Sequence, residues 1–120
     1  MLVVDDEPSL RLLCRVNLEL DGFRVLEAGT LNDARRLVEA ERPDVVLLDV
    51  HIAGDDGRDL LEELREGESG TKVVMLTGSV DVALGRFEAA DRVVTKPFEP
   101  FELVAVVQGL VGSTAVDSTA

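Results

Sequence analysis

Short runs of apolar residues alternate along the chain with longer segments whose apolar residues recur every three or four positions. The short runs have the length of β-strands, and the longer segments have the period of amphipathic α-helices. Strands are predicted at residues 2–4, 23–28, 45–48, 73–76 and 93–94. Helices are predicted at residues 9–20, 31–41, 58–66, 80–90 and 100–111. This alternation predicts an α/β domain whose parallel sheet is covered by helices on both faces.

Two of these helices carry clear local signals. Leu13, Val16 and Leu20 fall on one face of the first helix. Thr30 is the predicted N-cap of the second helix, and Asp33 follows it by three residues, as in a capping box. The predicted helix at residues 80–90 is short and weak, because it contains a glycine.

The length of 120 residues predicts one domain, which we place at residues 1–112. Residues 113–120 are small and polar, and they predict a flexible tail or a truncated linker. The chain has neither an apolar run long enough to cross a membrane nor a secretory leader, so a cytoplasmic protein is expected. The chain could be a stand-alone protein, a carrier between two other proteins, or a piece of a longer chain.

The net charge of −12 argues against binding of nucleic acid by this domain, since phosphate backbones attract clustered lysine and arginine. Most of the excess acidic residues are expected to keep the domain soluble, while a few carboxylates could converge on a cation.

Cys14 is the sole cysteine, so no intramolecular disulfide can form, and we expect a buried inert thiol.

Polar residues stand where four of the predicted strands end. Asp5 and Asp6 follow the first strand, Asp49 the third, Thr77 the fourth and Lys96 the fifth. Ligands of such folds bind beyond the carboxyl ends of the strands. Three converging carboxylates would need a counter-charge, and oxygen ligands favour Mg²⁺. A carboxylate beside Mg²⁺ and lysine can attack phosphorus, which makes an aspartyl phosphate the predicted chemistry.

Four stretches together carry a specific resemblance. They are LVVDDEP at 2–8, PDVVLLDVHIAGDDG at 43–57, VVMLTG at 73–78 and VVTKPF at 93–98. With them, residues 2–111 resemble the receiver domains of bacterial response regulators, which act in two-component signalling. The resemblance implies a flavodoxin-like doubly wound (βα)5 fold with a five-stranded parallel sheet of order 2-1-3-4-5.

The resemblance also implies roles for the residues that would handle the phosphoryl group. Asp49 corresponds to the phosphoacceptor, and its partner would be a histidine kinase or a phosphotransfer protein. Thr77 corresponds to the hydroxyl residue that reorients after phosphorylation. Lys96 would pair with the phosphoryl group, and the bond between Lys96 and Pro97 is expected to be cis. Phosphorylation would switch the surface around the fourth and fifth strands, and a homodimer could form.

A Mg²⁺ site is implied in the same way. Asp6 would bind the ion directly, and Asp5 would bind it mainly through water. Asp49 and the backbone carbonyl of His51 would complete the protein ligands. Gly57 matches the glycine of the loop that follows the acceptor.

The chain departs from the family pattern at several positions. Val93 stands where an aromatic residue often precedes the lysine by three positions, so the aromatic half of the usual switch is absent. Ala53 replaces a frequent proline, which predicts a more mobile loop. The spacing from Thr77 to Lys96 is shorter than the family pattern, which predicts a shortened or irregular fourth helix.

His51 is a further departure, and it bears on the alternatives. Its imidazole is expected to be solvated or, together with Ser79, to tune dephosphorylation. A Mg²⁺-dependent phosphatase with an aspartyl nucleophile is disfavoured, because that class needs an acid where His51 stands. A pseudo-receiver that only binds proteins remains an alternative to the phosphorylated switch, although the intact acidic set argues against it.

Overall fold

The computed structural model describes residues 1–67, 70–78 and 87–119, with side chains described as far as residue 111. The strands are β1 (Leu2–Val4), β2 (Leu26–Ala28), β3 (Val45–Asp49), β4 (His51–Ile52), β5 (Asp55–Asp56), β6 (Lys72–Gly78) and β7 (Arg92–Lys96). The helices are α1 (Pro8–Leu20), α2 (Leu31–Glu41), α3 (Gly57–Glu66) and α4 (Pro100–Thr119). The helix predicted at 80–90 falls mainly outside the described residues, and residues 87–90 form a turn.

Five strands form one parallel sheet in the order β2-β1-β3-β6-β7. With β6 and β7 counted as the fourth and fifth strands, this order confirms the predicted doubly wound fold. β1 and β3 are direct neighbours, so residues that follow these two strands meet at one edge of the sheet.

Each face of the sheet has its own hydrophobic core. Along β3, Val46 and Leu48 point to the face covered by α2 and α3, while Val45 and Leu47 point to the face covered by α1 and α4. All of β3 is buried, as expected for a central parallel strand. Within the described residues, no helix combines the length and the apolar character needed to span a membrane.

Helix α2 begins as predicted. The hydroxyl of Thr30 accepts a hydrogen bond of 3.1 Å from the amide of Asp33, which satisfies one of the amide groups left open at a helix start.

Helix α1 forms as predicted, but the apolar face identified from the sequence points to solvent, and a different face packs on the core. Leu13, Val16 and Leu20 are exposed, whereas Cys14 and Leu18 pack against the sheet. Apolar residues surround this helix on nearly all sides, so periodicity alone fits more than one face. The burial of Cys14 agrees with the expected inert thiol.

The segment predicted as a loop after β3 contains a small hairpin. β4 and β5 pair antiparallel, with His51 opposite Asp56. Ala53 and Gly54 connect them with φ angles of 50° and 86°, values that suit the two central residues of a tight hairpin turn. A proline could not adopt the φ of Ala53, since its ring holds φ near −65°.

Two element boundaries differ from the sequence prediction by three residues or more, and the others differ by one or two residues at most. β2 begins at Leu26 and not at residue 23. Helix α4 continues to Thr119, past the predicted end at Val111. Residues 112–119 contain no proline, so the backbone hydrogen bonds of a helix can continue through them. The flexibility expected of residues 113–120 stays a prediction.

Candidate functional site

Three carboxylates converge beyond the ends of β1 and β3. Asp5 and Asp6 directly follow β1, and Asp49 is the last residue of β3. One carboxylate oxygen from each lies within 4.8 Å of the other two. This cluster is a consequence of the sheet order, because the two strands that deliver it are hydrogen-bonded neighbours.

Lys96 brings positive charge to the cluster from the end of β7. Its Nζ lies 2.6 Å from Oδ2 of Asp49 and 3.4 Å from Oδ2 of Asp5. β6 separates β3 from β7, so the lysine side chain must extend past the end of that strand. Gly78 lies opposite Lys96 in the β6–β7 register and contributes no side chain there.

The charges in this cluster are strongly interdependent. Burial, reinforced by the Asp49 carboxylate, raises the pKa of Asp5 to about 6, although the hydrogen bond from the Glu7 amide opposes the rise. Burial alone would lower the pKa of Lys96, but its ion pairs with Asp49 and Asp5 raise it above the ordinary value. The site therefore holds an excess of negative charge that a cation would relieve.

The hairpin is held against the site by backbone contacts. The amide of Gly57 donates to the carbonyl of Val50 at 2.6 Å, and the amide of Ala53 donates to Oδ2 of Asp6 at 2.9 Å. A Cβ at position 57 would lie 2.0 Å from the carbonyl oxygen of Asp49. Position 57 therefore requires glycine, because the close approach of α3 to the end of β3 leaves no room for a side chain.

The other predicted site residues lie at the edge of this cluster. Thr77 is buried, and its hydroxyl donates to the carbonyl of Gly78 at 3.1 Å. The His51 side chain is exposed, and the His51 amide donates a long hydrogen bond of 3.4 Å to Oδ1 of Asp49. The Lys96–Pro97 bond is cis, as expected. Ser79 lies outside the described residues.

Sequence reasoning missed Arg58, the second residue of α3, which lies next to the site. Its Nε and Nη2 donate to the Asp56 carboxylate at 2.9 and 2.7 Å. Its Cζ lies 5.7 Å from the centroid of the Phe87 ring. The close spacing of Asp56 and Arg58 was a weak signal, but Phe87 is distant in sequence and nothing indicated its contact with the guanidinium.

The geometry and the sequence agree with one family. The family model of the response regulator receiver domain matches residues 1–108. The chain belongs to this family. The resemblance carried by the four motifs is thereby confirmed. Receiver domains are signalling domains of two-component systems.

Two relatives of this receiver domain are full-length regulators. The DNA-binding response regulator MtrA of Mycolicibacterium smegmatis is 44% identical over 111 residues, which cover 90% of this chain and 48% of that protein. The alkaline phosphatase synthesis transcriptional regulatory protein PhoP of Bacillus subtilis is 37% identical over 113 residues, which cover 92% of this chain and 47% of that protein. The chain thus spans about half the length of the curated relatives it matches.

Solved receiver structures share the architecture. The response regulator TrrA of Thermotoga maritima, solved in complex with Mg²⁺–BeF, has a TM-score of 0.84 and 32% identity, and the match covers 91% of this chain and 96% of that one. The receiver domain of NtrX from Brucella abortus has a TM-score of 0.81 and 29% identity, covering 89% of this chain and 93% of that one.

Proposed function

We propose that this receiver domain accepts a phosphoryl group on Asp49 from a histidine kinase or a phosphotransfer protein, in the presence of Mg²⁺. The observation that carries the proposal is the convergence of Asp49 with Lys96, Asp5 and Asp6 at one edge of the sheet. The Asp49 side chain keeps 11% of its surface exposed, so a donor can approach it from solvent.

The chemistry follows from the position of the carboxylate. An oxygen of Asp49 attacks phosphorus, and the bond between phosphorus and the donor's histidine nitrogen breaks. The imidazole leaves with the bonding electrons, and an acyl phosphate remains on Asp49. The Lys96 ammonium lies where it can stabilise negative charge on the phosphoryl oxygens during transfer.

A Mg²⁺ ion fits the donor set of this site. Asp5, Asp6 and Asp49 supply hard carboxylate oxygens, and the backbone carbonyl of His51 would be a fourth protein ligand. Burial and the facing Asp49 carboxylate raise the pKa of Asp5, so a cation bound beside it would favour its charged form. The ion would neutralise this charge and that of the phosphoryl oxygens.

The new charge of about −2 on Asp49 would then reorganise its neighbours. The Thr77 hydroxyl, which donates to the Gly78 carbonyl, would rotate towards the phosphoryl group, and Lys96 would shift to it from Asp5. Both residues lie on β6 or β7, so the surface around these strands would change.

Intact-mass measurement after incubation with acetyl phosphate and Mg²⁺ tests the proposal. We expect one phosphoryl adduct on the unaltered protein and none on Asp49→Asn. Asp44→Asn is the matched control, since Asp44 is an exposed acid at the opposite end of β3 and should leave the adduct unchanged. An unmodified wild type, or an undiminished adduct on Asp49→Asn, would exclude Asp49 as the acceptor.

We further propose that residues 1–112 are the receiver unit, in the cytoplasm, and that residues 113–120 are a linker or tail. Phosphorylation could drive this unit to form a homodimer. Size-exclusion chromatography with and without Mg²⁺ and beryllofluoride tests this, and an unchanged elution volume would contradict it.

A further inference from the structure

Arg58 joins two segments that are distant in sequence. One is the acceptor loop, residues 50–57, and the other is the turn at residues 87–91 that leads into β7. The guanidinium donates to both carboxylate oxygens of Asp56 and lies over the ring of Phe87, with 11% of its side chain exposed. Through these two contacts the side chain of Arg58 links both segments to α3.

The acceptor loop is tightly connected to Asp49. Asp56 pairs with His51 in the hairpin, and the His51 amide reaches Oδ1 of Asp49. Gly57 packs directly on the carbonyl of Asp49. A short path of backbone contacts therefore links Asp49 to Asp56, along which a change at Asp49 could reach Asp56.

The turn at 87–91 is fastened at its far end by a second arginine of α3. Arg65 lies seven residues after Arg58, on the same face of the helix. It donates to the Ala89 carbonyl and to Oδ2 of Asp91, each at 2.6 Å. The same oxygen of Asp91 accepts the Val73 amide at 2.7 Å, which ties the turn to β6.

The two ends of the turn are thus held differently. Arg65 makes directional hydrogen bonds, and these resist displacement. Arg58 makes a cation–π contact, which tolerates sliding of the ring and so can follow a movement of Asp56.

We infer that Arg58 is a positioning residue that transmits the state of Asp49 to Phe87 and the turn at 87–91. The inference rests on the proposed function, since it requires Asp49 to change state. Val93 provides no aromatic side chain in β7, and the contact between Arg58 and Phe87 supplies an aromatic reporter from another position. The turn continues into β7, which ends at Lys96, so the contact also connects the acceptor loop to the strand that carries the site's lysine.

A single fluorophore can test this. The chain has no tryptophan and no tyrosine, so Phe87→Trp creates the sole indole, and tryptophan is the best cation–π partner. We expect Mg²⁺ with beryllofluoride to shift its emission, and Asp49→Asn to abolish the shift. Adding Arg58→Met should abolish the shift while ¹⁹F NMR still detects beryllofluoride on the protein. Arg58→Lys, which keeps a cation near the ring, should restore part of it.

The matched control is Arg15→Met, because Arg15 forms its ion pairs with Glu19 of α1 and Glu27 of β2, and neither element belongs to the two segments. This variant should retain the full shift. If Arg58→Met also retains it, or if bound beryllofluoride leaves the emission unchanged, the inference is wrong and the proposed function stands. If ¹⁹F NMR detects no bound beryllofluoride on the parent protein, the proposed function fails, and the inference fails with it.

Hydrogen exchange provides a second measurement should Phe87→Trp fail to fold. The Ala90 amide donates to the Phe87 carbonyl at 3.0 Å and the Asp91 amide to the Val73 carbonyl at 2.9 Å. Beryllofluoride should change the exchange rate of the Ala90 amide in the otherwise unaltered chain but not in Arg58→Met. Equal changes in both proteins would overturn the inference.

Discussion

Asp5→Asn should stabilise the metal-free protein at neutral pH, although it removes a residue of the candidate site. Asp5 is 1% exposed and faces the Asp49 carboxylate, so its charge is unfavourable in the folded state. Asparagine has the same shape and keeps the oxygen that accepts the Glu7 amide at 2.9 Å. The substitution therefore removes the charge while preserving the local hydrogen bond.

The pKa of Asp5 determines the magnitude. Folding raises it from 3.8 to about 6, so the folded protein binds this proton more tightly than the unfolded chain does. Stability from this group is fully present below pH 3.8 and is lost as the pH rises to about 6. Two pKa units correspond to about 3 kcal/mol, which is the upper limit of the gain expected at pH 7.5. At pH 4.5 the same linkage leaves a gain of about 1 kcal/mol.

Urea unfolding in EDTA at pH 7.5 and at pH 4.5 measures this gain. Asp6→Asn is the matched control, because Asp6 belongs to the same cluster but is exposed, and its free energy of unfolding should change by less than about 0.5 kcal/mol. The reasoning would be refuted if Asp5→Asn lowered the stability at pH 7.5, or if it raised the stability equally at both pH values.

Three further outcomes are expected. Gly57→Ala should lose about 3 kcal/mol or more in urea unfolding, since its Cβ would lie 2.0 Å from a backbone oxygen; near-wild-type stability would contradict the close packing. Leu18→Ala should cost about 2–5 kcal/mol and Leu20→Ala far less, because the two side chains are 0% and 81% exposed; equal losses would contradict the orientation of α1. Mg²⁺ should raise the Tm of the wild type more than that of Asp6→Asn, and an equal rise would place the ion elsewhere.

The acidic cluster and its lysine could be predicted from the sequence because they depend on topology. Parallel strands end at a common edge, so residues that follow β1 and β3 must meet there once these strands are neighbours. The burial of β3 and the N-cap Thr30 were likewise predictable, since each is signalled by a local pattern, a continuous apolar run for β3 and a threonine before an amphipathic helix for the cap.

Other features depend on contacts that no local pattern contains. The orientation of α1 could not be predicted, since its apolar residues fit several faces and the choice is made by packing on the sheet. The hairpin after Asp49 requires a left-handed alanine at position 53, which residue preference disfavours. The contact of Arg58 with Phe87 joins residues that only the folded chain brings together.

If Asp49 is phosphorylated and Mg²⁺ binds beside it, as proposed above, Lys96 would make the two events support each other. Its ammonium is shared between Asp49 at 2.6 Å and Asp5 at 3.4 Å. A phosphoryl group on Asp49 would draw the ammonium to itself and leave the buried Asp5 carboxylate without it. A cation beside Asp5 would then gain affinity, and by linkage the same cation would favour the phosphorylated state equally. The shared lysine would therefore couple the two proposed events without any further movement of the fold.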